Sequence, residues 1–219
     1  ITQNATSAKK DWAQPSLLSS KEVKMRNTKI WIALGLAVLI AGCVRSLHPL
    51  FTEKDLMFDP TLVGTWLDGD GKDTWTFEKS KDKSYTLIHF QHEHGKFMEG
   101  KETGDTARFE VKLGRLGNFF FLDIYPEEPT IKNDLYKIHL IPAHTFSRMW
   151  LEGDQLRLSM LDNDWLKKMI AEGKVQITHE KIDGDVILSA PTEDLQKLVL
   201  SYAQDIKAFP EPGKLHRLK

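Results

Sequence analysis

Twelve consecutive uncharged, almost wholly apolar residues, Ile30 to Ala41, stop one position short of Gly42 and Cys43, and Cys43 is the only cysteine in the chain. A helix rising about 1.5 Å per residue would cover about 18 Å with that run, against a hydrocarbon layer of roughly 30 Å. Length and the basic flank of Arg26 and Lys29 fit the apolar region of a signal peptide better than a membrane span. The rest of the chain is restricted in two ways. No later apolar run is long enough to cross a bilayer, and one cysteine cannot form an intramolecular disulfide. The 177 residues from Cys43 onward must therefore hold together through their core, and that length suffices for one well-packed domain.

Ile40-Ala41-Gly42-Cys43 resembles the lipobox of bacterial lipoproteins. The resemblance implies cleavage between Gly42 and Cys43, a diacylglyceryl thioether on Cys43 and usually a third acyl chain on the new amino terminus. Two or more chains anchor a protein stably, at about 0.8 kcal/mol per buried CH₂. An uncleaved helix with an incidental cysteine is the plainer alternative. Residue 44 is Val, whereas Asp after the cysteine commonly marks retention in the inner membrane of two-membrane bacteria. The expected location is thus the cell envelope, with the outer membrane favoured where there are two. Signal peptides act from the true amino terminus, and the first methionine is Met25. Lys21 to Met25 can be encoded by AAG GAG GTN AAR ATG, which contains a ribosome-binding sequence. Residues 1–24 are accordingly expected to be untranslated leader, with a disordered leader as the alternative, and 25–42 to be the signal peptide. Codons that spell no purine-rich site before Met25 would count against that reading.

Residues 1–42 hold six of the 30 Lys/Arg and two of the 31 Asp/Glu, which leaves the remainder with a net charge of −5. It has no basic cluster interleaved with aromatics, so nucleic acid is not an expected partner.

Val44 to Pro60, the last part of a 43–60 tether, is too apolar for a flexible linker and is expected to lie across the domain with a helical turn near Thr52. Gly64-Thr65-Trp66 resembles the Gly-x-Trp opening of lipocalin-like barrels, in which Gly allows close backbone approach and Trp plugs one barrel end. The Asp59-to-Gly64 spacing is one residue short of that pattern, and the Thr-Asp-Tyr motif of lipocalins is missing. Strands are expected at Thr74–Lys79, Ser84–Gln91, Ala107–Leu113, Phe119–Tyr125, Leu135–Ile141, Thr145–Leu151 and Leu156–Leu161, then a hairpin of Val175–Glu180 and Val186–Ala190 across Asp183-Gly184. Phe119 to Leu122 is apolar on both faces and belongs in a central strand or under a helix. Helices are expected over Asn163–Glu172, ending at Gly173, and after Thr192 as N-cap, with Leu195, Leu198, Val199, Tyr202 and Ile206 on the buried face. The fold class is mainly β (α+β): a lipocalin-like barrel or strongly curved antiparallel sheet of eight to ten strands with two packed helices. The domain spans 61–209, and 210–219 forms an extended C-terminal tail.

Sites are sparser. His92 and His94 share a strand face, as a two-histidine zinc pair would. His89 lies nearby but on the opposite face, so His139, His144 or His179 would have to supply a third ligand, and a polar strand end is the simpler account. Asp68 to Asp73 has a carboxylate rhythm but lacks the glycine and glutamate of a calcium loop, so it reads as a turn. Asp123 falls on the face of Phe119, Phe121 and Tyr125. A carboxylate there needs a partner, with Arg148 or Arg157 as candidates, and acts either as a general acid or in a structural ion pair. His144, in Pro142-Ala143-His144-Thr145, is a further catalytic candidate at a barrel mouth, with plain solvent exposure as the alternative. No nucleophile elbow, P-loop or dinucleotide fingerprint occurs.

Three readings result: a non-enzymatic envelope lipoprotein with room for a small apolar ligand, an interaction or scaffold module for an envelope protein, and a metal-dependent or acid/base enzyme. No cofactor is expected beyond covalent lipid on Cys43. A filled barrel interior beside an exposed apolar patch would favour the second reading over the first.

Overall fold

The computed structural model describes residues 42–92, 103–129 and 131–218. Long strands alternate with tight turns, and the turns sit where the sequence can afford them. At the hairpin of β10 (His179–Ile182) and β11 (Asp185–Leu188), both turn residues take positive φ, 52° at Asp183 and 85° at Gly184. That is the requirement of a two-residue turn that follows the right-handed strand twist.

Eight antiparallel strands close a barrel: β3 (Gly64–Asp68), β4 (Asp73–Lys79), β5 (Ser84–His92), β6 (Gly104–Leu116), β7 (Phe119–Pro126), β8 (His144–Glu152), β9 (Gln155–Met160) and β12 (Gly213–Arg217). The extended C-terminal segment is itself a stave. Leu215 pairs with Asp68 of β3 on one side and Leu156 of β9 on the other, so β12 closes the ring. Strand β8 forks: Ser147–Glu152 pair with β9, whereas His144 and Thr145 pair with β1 (Arg45–Ser46). Strand β1 in turn carries β11 in parallel, and β10 pairs beyond it. The short β2 (Leu56–Met57) lies against β6.

Side-chain alternation gives two cores on opposite faces of this sheet. Trp66, Phe77, Tyr85, Leu87, Val111, Leu113, Leu122 and Leu156 point into the barrel and are completely or almost completely buried. Each contributes roughly 1.5–3 kcal/mol by leaving water. On the outer face, Phe121 and Phe146 meet Val44, Leu50, Val186 and Leu188, beneath α2 (Asn163–Ala171) and α3 (Thr192–Ser201). Leu122 inside and Phe121 outside explain why Phe119 to Leu122 is apolar on both faces.

Asp162 caps α2, its carboxylate accepting the Trp165 N–H at 2.6 Å. For α3 the cap differs from expectation. Pro191 precedes the helix, Thr192 is its first residue, and the Thr192 hydroxyl donates to the Pro49 carbonyl at 2.8 Å. The helix stops at Ser201, so Ile206 lies beyond it and is 80% exposed rather than on the buried face. In the segment Val44–Pro60, Leu50, Phe51 and Leu56 are buried. There Thr52 opens a 3-10 turn, Glu53–Asp55, whose Asp55 carboxylate accepts from the Thr52 N–H and hydroxyl.

The largest departure is Leu135–Ile141. No strand forms there. Asn133 accepts the Tyr136 N–H and starts a one-turn helix, α1 (Asp134–Lys137), in a long β7–β8 connection. Seven apolar-rich residues without flanking pairing partners cannot settle their own period. The Val175–Glu180 strand is also shorter than expected, beginning only at His179.

Candidate functional site

The strands bring Asp123 and His144 together. Both point to the outer face from adjacent strands, Asp123 opposite Phe146 and His144 one pleat further along. The His144 Nδ1–H donates to Asp123 Oδ1 at 2.7 Å, and the Leu50 N–H donates to Asp123 Oδ2 at 2.7 Å. The carboxylate side chain is 1% exposed and the imidazole 16%. The Tyr125 ring packs on His144 with centroids 4.4 Å apart. Both carboxylate oxygens thus serve groups of the protein itself, which satisfies the buried charge.

Arg148 and Arg157 are not its partners. Arg148 donates to the Ala203 carbonyl and lies over the Phe119 and Trp150 rings, 4.7 and 4.3 Å from their centroids. Burial holds its guanidinium pKa below the usual value. Arg157 bonds Glu152 at 2.7 Å.

A general base would have to be His144 acting through Nε2, with Asp123 orienting it. Its cross-strand neighbour Ser46 is buried, and the Ser46 hydroxyl donates to the His48 carbonyl at 2.8 Å. The one hydroxyl opposite the imidazole on β1 is therefore occupied by a local turn. The arrangement clamps the Leu50 backbone to β7 and β8.

His92 is buried at the end of β5, its ring edge-on to Phe90 at 4.7 Å. His94 lies outside the described residues. Among the described residues, no three His, Cys, Asp or Glu side chains gather as a metal site would require. His89 instead faces Asp73 at 3.4 Å inside the barrel mouth, and burial pushes its pKa down despite that carboxylate. His179 contacts the Ile177 carbonyl at 2.8 Å, and His139 is exposed. Asp68 Oδ1 accepts the Lys72 and Asp73 N–H groups, so the carboxylate rhythm there belongs to the turn.

At the other end of the barrel, Trp66 is fully buried and its indole N–H donates to the Leu62 carbonyl at 3.0 Å. The Arg217 guanidinium sits 4.2 Å over the indole and donates to the Val63 and Thr61 carbonyls. Gly64, at φ +136°, passes directly under it, and a Cβ there would collide with the guanidinium.

Cys43 is half-buried and bridges to Asp162. The Gly42 carbonyl accepts the Asn163 N–H at 2.6 Å, and the Val44 N–H donates to the Leu161 carbonyl at 3.0 Å. Burial, then the Asp162 charge, push the thiol pKa up. Val44 is 1% exposed, so packing begins at the residue after the cysteine.

Sequence reasoning missed a concave site. Under the β7–β8 connection lies a cleft of about 470 Å³ lined by Tyr125, Pro126, Glu127, Glu128, Pro129, Lys137, Leu140, Ile141 and Pro142. That volume is in the range of small-molecule pockets. Three prolines and the Leu140-Ile141-Pro142 run were the available signal, obscured by the expectation of a strand there. Among the described residues, no helix is long and apolar enough to cross a membrane. Comparison with protein-family models, curated proteins and solved structures gives no match for this chain.

Proposed function

We propose that this chain is a lipid-anchored protein of the bacterial cell envelope, acting by binding rather than catalysis, with its working surface on the outside of the barrel. The observation that carries the anchor is how closely the body follows the lipobox cysteine, since Val44 is already in the core. Acyl chains on Cys43 would hold the domain against the bilayer with no leash between. Loss of Gly42 on cleavage would strip the Asn163 N–H of its acceptor. An amide-linked acyl group on Cys43 offers a carbonyl at the same position, and so keeps that hydrogen bond.

A filled lumen favours an interaction surface over a ligand inside the barrel, and the small apolar ligand is assigned instead to the exterior cleft. Trp66, Phe77, Tyr85 and their neighbours occupy the lumen, whereas the cleft offers Pro126, Pro129, Leu140, Ile141 and Pro142 around an open space. Catalysis by the Asp123–His144 pair is disfavoured because Ser46, the hydroxyl opposite the imidazole on β1, already donates to the His48 carbonyl.

Metabolic labelling with tritiated palmitate tests the anchor: wild type takes up label and Cys43→Ser does not. Equal labelling of the two would remove the anchor from Cys43. An apolar fluorescent probe tests the cleft. Binding should fall with Ile141→Asp, and binding that survives this change lies elsewhere.

A further inference from the structure

The β7–β8 connection has two faces, and only one of them lines the cleft. Lys137, Leu140 and Ile141 line the cleft, Leu140 and Ile141 from an exposed rim. Leu135, Tyr136 and Ile138 are 69%, 58% and 73% exposed and take no part in the lining. Three large apolar side chains within four residues, on a projecting one-turn helix, are costly to leave in water. Their charged neighbours balance in number, Lys132 and Lys137 against Glu128 and Asp134. Lys137 Nζ lies 3.1 Å from Glu128 and 3.9 Å from Asp134, and Arg108 Nε donates to Glu127 at 3.1 Å.

We infer that this finger inserts its outer face, Leu135, Tyr136 and Ile138, into the interfacial layer of a lipid bilayer, so that the cleft behind it opens onto the membrane and takes its apolar ligand from there. The inference deepens the proposed function and rests on its placing the protein at a bilayer.

Three features favour a bilayer over a protein. The outer face is a few side chains on one helical turn, whereas a stable protein interface uses about 20–30 residues a side. Leucine, isoleucine and a tyrosine, flanked by Lys132, Lys137 and His139, form the side-chain set that settles at the boundary between acyl chains and headgroups. The two lysines and two carboxylates of the finger cancel, so they supply no net attraction for anionic lipid. Binding should therefore be apolar in character and insensitive to salt.

The test uses the full chain carrying Cys43→Ser, which cannot be acylated and has no other thiol. Adding Ile138→Cys then gives a unique site for an environment-sensitive fluorophore, and Glu180→Cys on β10 gives the control. With phosphatidylcholine vesicles, the label at 138 should brighten, shift to the blue and become protected from an aqueous quencher, while the label at 180 should not. In the same Cys43→Ser background, Leu135→Ser with Ile138→Ser should weaken vesicle co-sedimentation by roughly tenfold or more, as expected for two partly inserted side chains. Any vesicle binding by residues 1–42 is common to both proteins and cancels. Added salt or anionic lipid should change little. Equal labels at 138 and 180, or unchanged co-sedimentation, would overturn the inference. So would concentration-dependent self-association abolished by the double serine change without any label shift on vesicles, because the face would then belong to a second copy. Because no acyl group is present, failure here leaves the anchor standing, and failure of palmitate labelling leaves this result standing.

Discussion

Removing the Asp123 carboxylate is the sharpest perturbation of the clamp between the N-terminal segment and the barrel. In Asp123→Ala, the Leu50 N–H loses a 2.7 Å acceptor in a fully buried setting, and His144 loses its 2.7 Å partner. A buried donor left unpaired costs about 1–3 kcal/mol, and losing a hydrogen bond to a charged carboxylate about 1.5–3 kcal/mol. The two overlap, so the expected loss is about 4 kcal/mol. At about 2–4 °C per kcal/mol for a domain of this size, Tm should fall by about 10 °C. Asp123→Asn keeps one acceptor for Leu50 and can donate to a neutral imidazole, so it should cost only about 1–2 kcal/mol. His144→Ala should cost less than Asp123→Ala, since the half-open imidazole site admits water while Leu50 keeps its acceptor. Urea denaturation of the single and double variants gives the coupling between 123 and 144, and hydrogen exchange at the Leu50 amide reports the clamp directly. A cost below about 1 kcal/mol for Asp123→Ala, with Leu50 protection unchanged, would refute the structural role and reopen Asp123 as a general acid.

Other consequences are equally direct. Gly64→Ala puts a Cβ against the Arg217 guanidinium at a φ of +136°, and denaturant unfolding should show a loss of about 1–3 kcal/mol. Truncation after Pro210 deletes β12 and leaves β3 and β9 as open edges; circular dichroism on heating should show loss of the cooperative transition or aggregation. Burial and the Asp59 charge push the Tyr85 phenol up to about 12, above its ordinary value near 10. A raised folded-state pKa gives stability that is fully present below about pH 10 and lost as pH rises through about 12, a loss on the order of 2 kcal/mol. Absorbance at about 295 nm, the tyrosinate band, should show a late ionisation near pH 12 that Tyr85→Phe abolishes.

Much of the barrel was legible because its signals are local. Alternation in Phe109, Val111 and Leu113, the Asp183-Gly184 turn and the spacing of Trp165, Leu166 and Met169 each fix an element without reference to distant chain. The C-terminal stave was not legible as one. Gly213–Arg217 contains one buried apolar residue, Leu215, and only its two long-range neighbours make it a strand. Leu135–Ile141 failed for the opposite reason, since its composition suits a strand but nothing pairs with it. The Asp123 partner shows the same limit within a correct face assignment. His144 and Arg148 both lie two residues from Phe146, the cross-strand mate of Asp123, so spacing alone ranks them equally. The strand register puts Arg148 beside Phe121 and His144 beside Tyr125, and the loop approaching Leu50 completes the choice.

Mass spectrometry of the protein extracted from native membranes, read at the amino terminus of the body, tests the envelope-anchor reading most directly. The account predicts a terminal peptide that begins at Cys43 and carries two or three acyl chains, with one of them amide-linked in the place of Gly42. A peptide in which Cys43 is unmodified and still joined to Gly42 would contradict it.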